Sequence, residues 1–318
     1  MNNKEILKER WDKIDNELNK YSKVFNYDVK TRIKRLIKAF NITSDSLYSY
    51  MKKADLTMFK SELQDVEAKG YLEYKINQML KRTKIKYYEA LQLLIEIAYH
   101  NTFKKNKEFE DELFTATAII TSEIVQRESY KVRKPLFRRF HLIPFPNYLL
   151  PHIMSLPLYL GYNWEEYKEN MIQYNANKMY RNIVVDIQQG RLDTETGVNT
   201  GIDTSLDRYD RTFEIERKRY ITALDNQVAS VSNQVALWGM EKQGIKEVIF
   251  VAVMDERTTN ICKSMNGQVF KINELNVYQR YARNDDEELT TYRTDGLKIG
   301  ENQPALHYNC RSVLYPHR

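Results

Sequence analysis

Hydrophobic residues in the first part of the chain recur at the spacing of an α-helix. Steps of three and four residues put Trp11, Ile14 and Leu18 on one face of such a helix. Residues 1–134 contain no proline and a single glycine, Gly70, so little in this stretch interrupts helix formation. We therefore predict that it forms four to six helices, ending near residue 130.

A proline-rich segment follows. Five of the seven prolines fall between Pro135 and Pro157, and a chain broken this often cannot form a regular membrane helix. We interpret the segment as an extended connector packed over the core. The alternative is an apolar docking loop for a partner protein.

Two long helical patterns come next, each with recognisable ends. Asn163 can cap a helix that begins at Trp164, and Gly190 would end it. A second pattern runs from about Leu206 and stops at Gly244. It is rich in Asn and Gln, which is typical of a helix that forms a polar interface with its neighbours.

The pattern changes after Gly244. A continuous apolar and β-branched run, Val248–Met254, predicts a buried strand, and Gly267–Phe270 predicts a shorter strand after a turn. The chain is therefore predicted to be mainly α-helical, with a helical N-terminal region and a small C-terminal α+β domain. The predicted boundaries are 1–134 for a basic helical region, 135–160 for the Pro-rich connector, 161–244 for a helical middle region and 245–318 for the α+β domain.

Composition is typical of a folded protein. Hydrophobic residues make up 42% of the chain and charged residues 29%, and no run of about 18 apolar residues occurs that could span a membrane. The N-terminus lacks the apolar core of a secretory signal. Two cysteines in 318 residues exclude a disulfide-stabilised scaffold and are typical of a reducing compartment.

Basic residues are concentrated in the first half of the chain. Residues 1–150 hold 29 Lys and Arg against 20 Asp and Glu, whereas residues 151–318 hold 20 against 23. This asymmetry favours a polyanionic partner, with double-stranded DNA as the candidate, and a solvated Lys-rich surface is the alternative. The candidate DNA contacts form two clusters, Lys30, Arg32, Lys34, Arg35 and Lys38, and Lys81, Arg82, Lys84 and Lys86.

Tyrosines follow the second basic cluster. Tyr87 and Tyr88 lie next to Lys84 and Lys86, and aromatic rings beside cations can stack nucleic-acid bases. We favour the simpler interpretation that these are amphipathic tyrosines at a helix boundary.

Both cysteines lie in a C-terminal cluster of potential metal ligands. His307 and Cys310 are three residues apart, a spacing that allows two ligands to share a turn. Cys262 and Asp255 would complete a candidate set for zinc. The alternative is that two small buried cysteines pack near a histidine that stabilises a loop.

The same cluster resembles a known family. The pattern D-x-R-T-x-x-x-C, then a glycine, then P-x-L-H-x-N-C-R is similar to the C-terminal domain of phage minor head proteins, also called head morphogenesis proteins or Mu F-like. The resemblance is specific over residues 245–318 and diffuse over 160–244. Thr259 and Ser312 stand where members often have further cysteines, so a four-cysteine site is impossible. The matching residues are Asp255, Arg257, Thr258, Cys262, Gly267, Pro304, Leu306, His307, Asn309, Cys310, Arg311 and Pro316.

The resemblance implies a low-copy structural or accessory component of a tailed-phage head. Such a protein assembles in the host cytoplasm, associates with the portal and stays in the virion interior near the packaged DNA, acting in head assembly and DNA ejection. The sequence also lacks the usual nucleotide-binding, zinc-protease and esterase motifs. We therefore expect no enzymatic activity.

Two other functions stay open. One is a metal-dependent, nuclease-like enzyme that uses His307 and Asp255, and the other is a DNA-binding protein outside the virion. Within the motif, we expect Asp255 and Arg257 to tie their loop to the loop of His307–Cys310. The motif residues with an expected structural role are Asp255, Arg257, Thr258, Gly267, Pro304, Asn309 and Arg311.

Overall fold

The chain is mostly helical, with a small antiparallel sheet near its C-terminus. This computed structural model describes residues 3–24, 28–40, 42–133, 140–156, 162–191, 209–252, 254, 258–272, 281–283, 289–291 and 312–317. The predicted fold class, mainly α with a small C-terminal α+β part and a helical N-terminal region, is confirmed. Among the helices described, none has the length and hydropathy that crossing a bilayer requires.

The helices of the first 133 residues agree with the sequence pattern. Among the described residues of this stretch there are five helices, and the last of them is 47 residues long and contains neither glycine nor proline. The helices are α1 (Asn3–Val24), α2 (Val29–Phe40), α3 (Lys53–Gln64), α4 (Gly70–Lys81), α5 (Tyr87–Arg133), α6 (Leu149–Met154), α7 (Trp164–Gln188), α8 (Asp210–Lys242) and α9 (Asn260–Met265).

The chain divides into two compact units, each assembled from separate segments. The first unit comprises residues 1–25, 108–167 and 219–318, and the second comprises 26–107 and 168–218. Neither unit is a continuous stretch of sequence. The boundaries between their segments fall within or beside long helices. The domain boundaries predicted from the sequence stay predictions.

The core of the first unit is built around α8. Its apolar side chains from Ala223 to Met240 are buried, and so are the Asn and Gln residues that the sequence placed at an interface, including Asn226, Gln227, Asn233 and Gln234. The described part of the connector, residues 140–156, packs on this core, but it is not extended throughout as predicted, because Leu149–Met154 form α6. The ring of Phe145 contacts the edge of Trp238 with 5.2 Å between centroids.

A three-stranded sheet of order β2–β1–β5 lies in the first unit, and both pairings are antiparallel. Val248 faces Phe270 on one side and Pro316 on the other. The strands are β1 (Glu247–Val251), β2 (Val269–Lys271), β3 (Tyr281–Arg283), β4 (Leu289–Thr291) and β5 (Val313–His317), with β3 and β4 paired separately.

The prediction of a continuous buried strand over Val248–Met254 is wrong in two respects. Burial alternates along β1, since Val248 and Phe250 are buried whereas their neighbours are partly exposed. The strand also ends at Val251, because the N–H of Ala252 donates to the side-chain Oδ1 of Asn266 at 2.9 Å. An apolar run alone does not indicate this competing side-chain acceptor.

Candidate functional site

The first half of the C-terminal motif lies on a strand–helix–turn unit. The Oγ1 of Thr259 accepts the N–H of Cys262 at 3.4 Å and so caps α9, while the Cys262 side chain is buried. Gly267 has a φ of 87°, which favours glycine, and its N–H donates to the carbonyl of Phe250 at 2.8 Å. Together with Asn266, these contacts fix the turn that follows the motif cysteine.

Most of the remaining motif lies outside the described residues. Asp255, Arg257, His307 and Cys310 are among these, so the zinc set and the Asp255–Arg257 contact stay predictions. In the part of the chain that is described, no group of three or more His, Cys, Asp or Glu side chains could hold a metal. Four motif residues are described, Thr258, Cys262, Gly267 and Pro316, and the others outside are Pro304, Leu306, Asn309 and Arg311.

The strand that follows the motif is held by one buried amide. Asn233 on α8 is fully buried; its Nδ2 donates to the carbonyls of Ala229 at 2.9 Å and of Ser312 at 3.3 Å. Its Oδ1 accepts the N–H of Leu314 at 3.3 Å. Sequence reasoning placed Asn233 in a polar interface but could not identify β5 as its partner, because about 80 residues separate them.

A second buried polar contact involves Ser232, the residue before Asn233 on α8. Arg10 on α1 donates from Nε to the Ser232 hydroxyl at 2.8 Å and also donates to it from Nη2. The Ser232 hydroxyl lies 3.0 Å from that of Thr121. Burial lowers the pKa of the Arg10 guanidinium to about 9. Because its guanidinium is buried, Arg10 is not available to a polyanion.

The first basic cluster lies on α2 in the second unit. Val29, Ile33 and Ile37 form the buried face of this amphipathic helix, so the basic residues occupy its other sides. Lys30 is engaged within the protein, since its Nζ lies 2.6 Å from the Oδ1 of Asp210. Arg35 and Lys38 are exposed, and Arg32 and Lys34 are half-buried.

The second basic cluster is fixed by backbone pairing between two segments far apart in sequence. The N–H of Met51 donates to the Ile85 carbonyl at 2.9 Å, and the N–H of Tyr87 donates to the Ser49 carbonyl at 3.1 Å. Residues 47–51 and 85–88 are therefore held side by side. The apolar members of both segments, Leu47, Met51, Ile85 and Tyr87, are buried.

Aromatic rings and ammonium groups meet on the outside of this pairing. The Nζ atoms of Lys84 and Lys86 lie 5.8 and 5.6 Å from the ring centroid of Tyr50, and that of Lys86 lies 6.0 Å from the ring of Tyr88. The rings of Tyr48 and Tyr88 are 5.7 Å apart. We call these five residues, Tyr48, Tyr50, Lys84, Lys86 and Tyr88, the Lys/Tyr surface.

Two neighbours of this surface have structural roles. Arg82 makes a forked pair with Glu89, at 2.8 and 3.1 Å, and this hydrogen bonding raises the pKa of Arg82. Tyr87 is buried, and its hydroxyl donates to Asp55. Tyr87 thus lies at a helix boundary with a buried ring and a bonded hydroxyl, in agreement with its interpretation as an amphipathic tyrosine. The ring of Tyr50 is exposed next to the lysines, and the sequence pattern did not indicate this contact.

A comparison with known families identifies the C-terminal part of the chain. A family model described as phage Mu protein F like protein matches residues 193–315. No curated protein and no solved structure gives a match. The matched region contains β1, the capped helix α9, the Asn266–Gly267 turn, β2 and most of β5, and it includes every motif residue from Asp255 to Arg311. Residues 193–315 are thus similar to the phage Mu F-like family, and this similarity suggests a phage head-related protein.

Proposed function

We propose that this protein is a minor head protein of a tailed phage, a low-copy structural or accessory component of the virion. It associates with the portal and the packaged DNA, acts in head assembly and takes part in DNA ejection. The observation that carries the proposal is the family match over residues 193–315. The experiment that tests it is a search for the protein in purified procapsids and DNA-filled particles.

The Pro-rich segment is the surface that we assign to the portal. Leu142, Ile143 and Tyr148 are exposed, with Tyr148 at 77%. Their backbone is held in place, because the N–H and carbonyl of Ile143 bond to the side chain of Gln126 at 2.9 and 2.7 Å. A fixed loop that exposes apolar side chains is suited to protein contact.

The Asn and Gln side chains of α8 are a poorer candidate for the same role. Their abundance in the sequence favours a contact surface, but they are buried within the first unit. In assembled heads we expect chemical crosslinks from residues 140–156 to the portal. Crosslinks from this segment to the major shell protein alone would contradict the assignment.

The basic N-terminal half supports a contact with DNA that does not depend on sequence. Of the nine candidate cations, Lys30 and Arg82 already pair with carboxylates, while others are exposed. We expect about five phosphates to be neutralised, which gives a slope of about −4 to −5 for the logarithm of the binding constant against the logarithm of salt concentration. Fluorescence anisotropy with a labelled duplex over a salt series measures this slope, and a slope near zero would exclude the contact.

The proposed role needs no chemistry. Incubation of the purified chain with plasmid DNA and added Mg²⁺, Mn²⁺ or Zn²⁺ should leave the DNA intact, and metal-dependent cleavage would favour the nuclease alternative. Zinc at Cys262, His307, Cys310 and Asp255 is a separate question, answered by the metal content of the purified protein. A stoichiometric zinc that the Cys310→Ser variant loses would establish a structural metal.

A further inference from the structure

We propose that the Lys/Tyr surface binds single-stranded DNA, with the exposed tyrosine rings stacking on unpaired bases and the two ammonium groups contacting the adjacent phosphates. The inference rests on the proposed contact with DNA and names the form of DNA that this part of the basic half takes. It concerns a surface of the second unit, outside the region that matches the family model.

The rings and the cations are held in place before any ligand arrives. The segments that carry them are joined by the backbone bonds of Met51 to Ile85, Tyr87 to Ser49 and Tyr88 to Leu47. The buried side chains of Leu47, Ile85 and Tyr87 anchor the same segments from below. A ligand therefore meets a surface whose backbone needs little ordering, which lowers the entropic cost of binding.

The ammonium groups keep their charge available. In the region that the structure describes, neither Lys84 nor Lys86 has a carboxylate within salt-bridge distance, and the nearby Glu89 is forked to Arg82. The contacts of Lys84 and Lys86 with the Tyr50 ring, at 5.8 and 5.6 Å, lie near the outer limit of a cation–π interaction, about 6 Å. Such contacts place a cation beside a ring without neutralising it.

The aromatic side chains point to unpaired bases rather than to a duplex. Tyr50 is 56% exposed and Tyr48 is 53% exposed, so their rings are open to a planar partner. Bases within a duplex already stack on one another and offer no free face, whereas every base of a single strand does. An acidic protein surface would use the ammonium groups alone and would gain little from the rings.

The same unit contains a second exposed tyrosine with a lysine over its ring, but there the lysine is paired with a carboxylate. Tyr71 is 52% exposed, and the Nζ of Lys75 lies 4.5 Å from its ring centroid. Lys75 is also paired with Glu96, at 2.6 Å between Nζ and Oε2. Tyr71 therefore resembles Tyr50 in exposure and in having a lysine over its ring, but its lysine is neutralised, and Tyr71→Ala is the matched control.

The test compares the full chain and its variants on a labelled oligothymidylate and on a duplex of equal length. We expect Tyr50→Ala to weaken single-strand binding about five- to tenfold, in line with the loss of one stacked base, and to change duplex binding less than about twofold. Tyr50→Phe should bind like the unmodified chain, whereas Tyr50→Leu should bind like Tyr50→Ala. Tyr71→Ala should change neither affinity.

The lysines give a second readout. Replacing Lys84 and Lys86 together with Gln should reduce the magnitude of the salt slope on single strands by about 1.4, because two phosphate contacts are lost. The proposal would be overturned if Tyr50→Ala weakened duplex and single-strand binding equally, or if its effect equalled that of Tyr71→Ala. It would also be overturned if Tyr50→Ala weakened binding to the portal and left DNA binding unchanged.

Two outcomes separate this inference from the proposed function. Equal binding of both DNA forms with no effect of Tyr50→Ala refutes this inference only. Absence of any DNA binding at low salt refutes the proposed DNA contact as well.

Discussion

Replacing Asn233 with alanine should release the strand that follows the C-terminal motif. The Asn233 amide makes both of the described side-chain contacts between α8 and the backbone at the start of β5, through the Ser312 carbonyl and the Leu314 N–H. Both backbone groups belong to buried residues. Without the amide they would face the interior with no partner from α8.

The cost follows from the number of groups left without a partner. A buried unsatisfied donor or acceptor costs about 1–3 kcal/mol, and at 3.3 Å both bonds are long, so the lower end applies to each. Alanine is the better helix former, which offsets about 0.5 kcal/mol. The net loss is about 1.5 kcal/mol, which corresponds to an increase of about tenfold in the opening equilibrium of β5.

Native-state hydrogen exchange measures that opening directly. Peptides that contain residues 312–317 should exchange about tenfold faster in Asn233→Ala than in the unmodified chain. The control is Asn16→Ala, because Asn16 is exposed on α1 of the same unit. Exchange of β5 that stays unchanged in Asn233→Ala, or that rises equally in Asn16→Ala, would refute the reasoning.

Two further substitutions test the interior of the first unit. Ser232→Ala removes the acceptor of the buried Arg10 guanidinium and should lower the free energy of unfolding by about 1–3 kcal/mol in urea titrations. The control is Ser230→Ala, because Ser230 is buried on the same helix and its hydroxyl has no hydrogen-bond partner; this variant should be neutral or stabilising. Burial raises the pKa of Asp225 to about 6, and the charge of Asp15 adds to this shift. The protonated carboxyl therefore stabilises the folded state. This contribution is complete below the unfolded pKa of about 3.9 and is lost as the pH rises through 6. Asp225→Asn should therefore be more stable than the unmodified chain at pH 7, and the two should converge by about pH 4; a constant difference across this range would contradict the assignment.

Local signals in the sequence were sufficient to predict where the long helices α7 and α8 end and where α7 begins. Asn163 was predicted to cap α7, and its Oδ1 accepts the N–H of Glu166 at 3.0 Å while its own N–H donates to the Glu166 carboxylate at 3.1 Å. Gly190 and Gly244 were predicted to end the two long helices and have φ values of 65° and 72°. These features depend on residues three to five positions apart, which a single sequence displays.

Contacts between distant segments could not be predicted in this way. Nothing local shows that Tyr50 faces Lys86, or that Asn233 bonds to β5, because both depend on how the chain folds back over 36 to 81 residues. The early end of β1 has the same cause, since Asn266 reaches Ala252 from beyond α9. The candidate site was therefore predictable as a motif but not as a set of contacts.

The location of the protein in the phage particle is the most direct test of its proposed role. Quantitative mass spectrometry of purified procapsids and DNA-filled heads measures its copy number relative to the portal and the major shell protein. We predict a few copies per particle in both forms, far below the shell protein and retained with the portal when heads are disrupted. Absence of the protein from both purified procapsids and filled heads would contradict the assignment as a minor head protein.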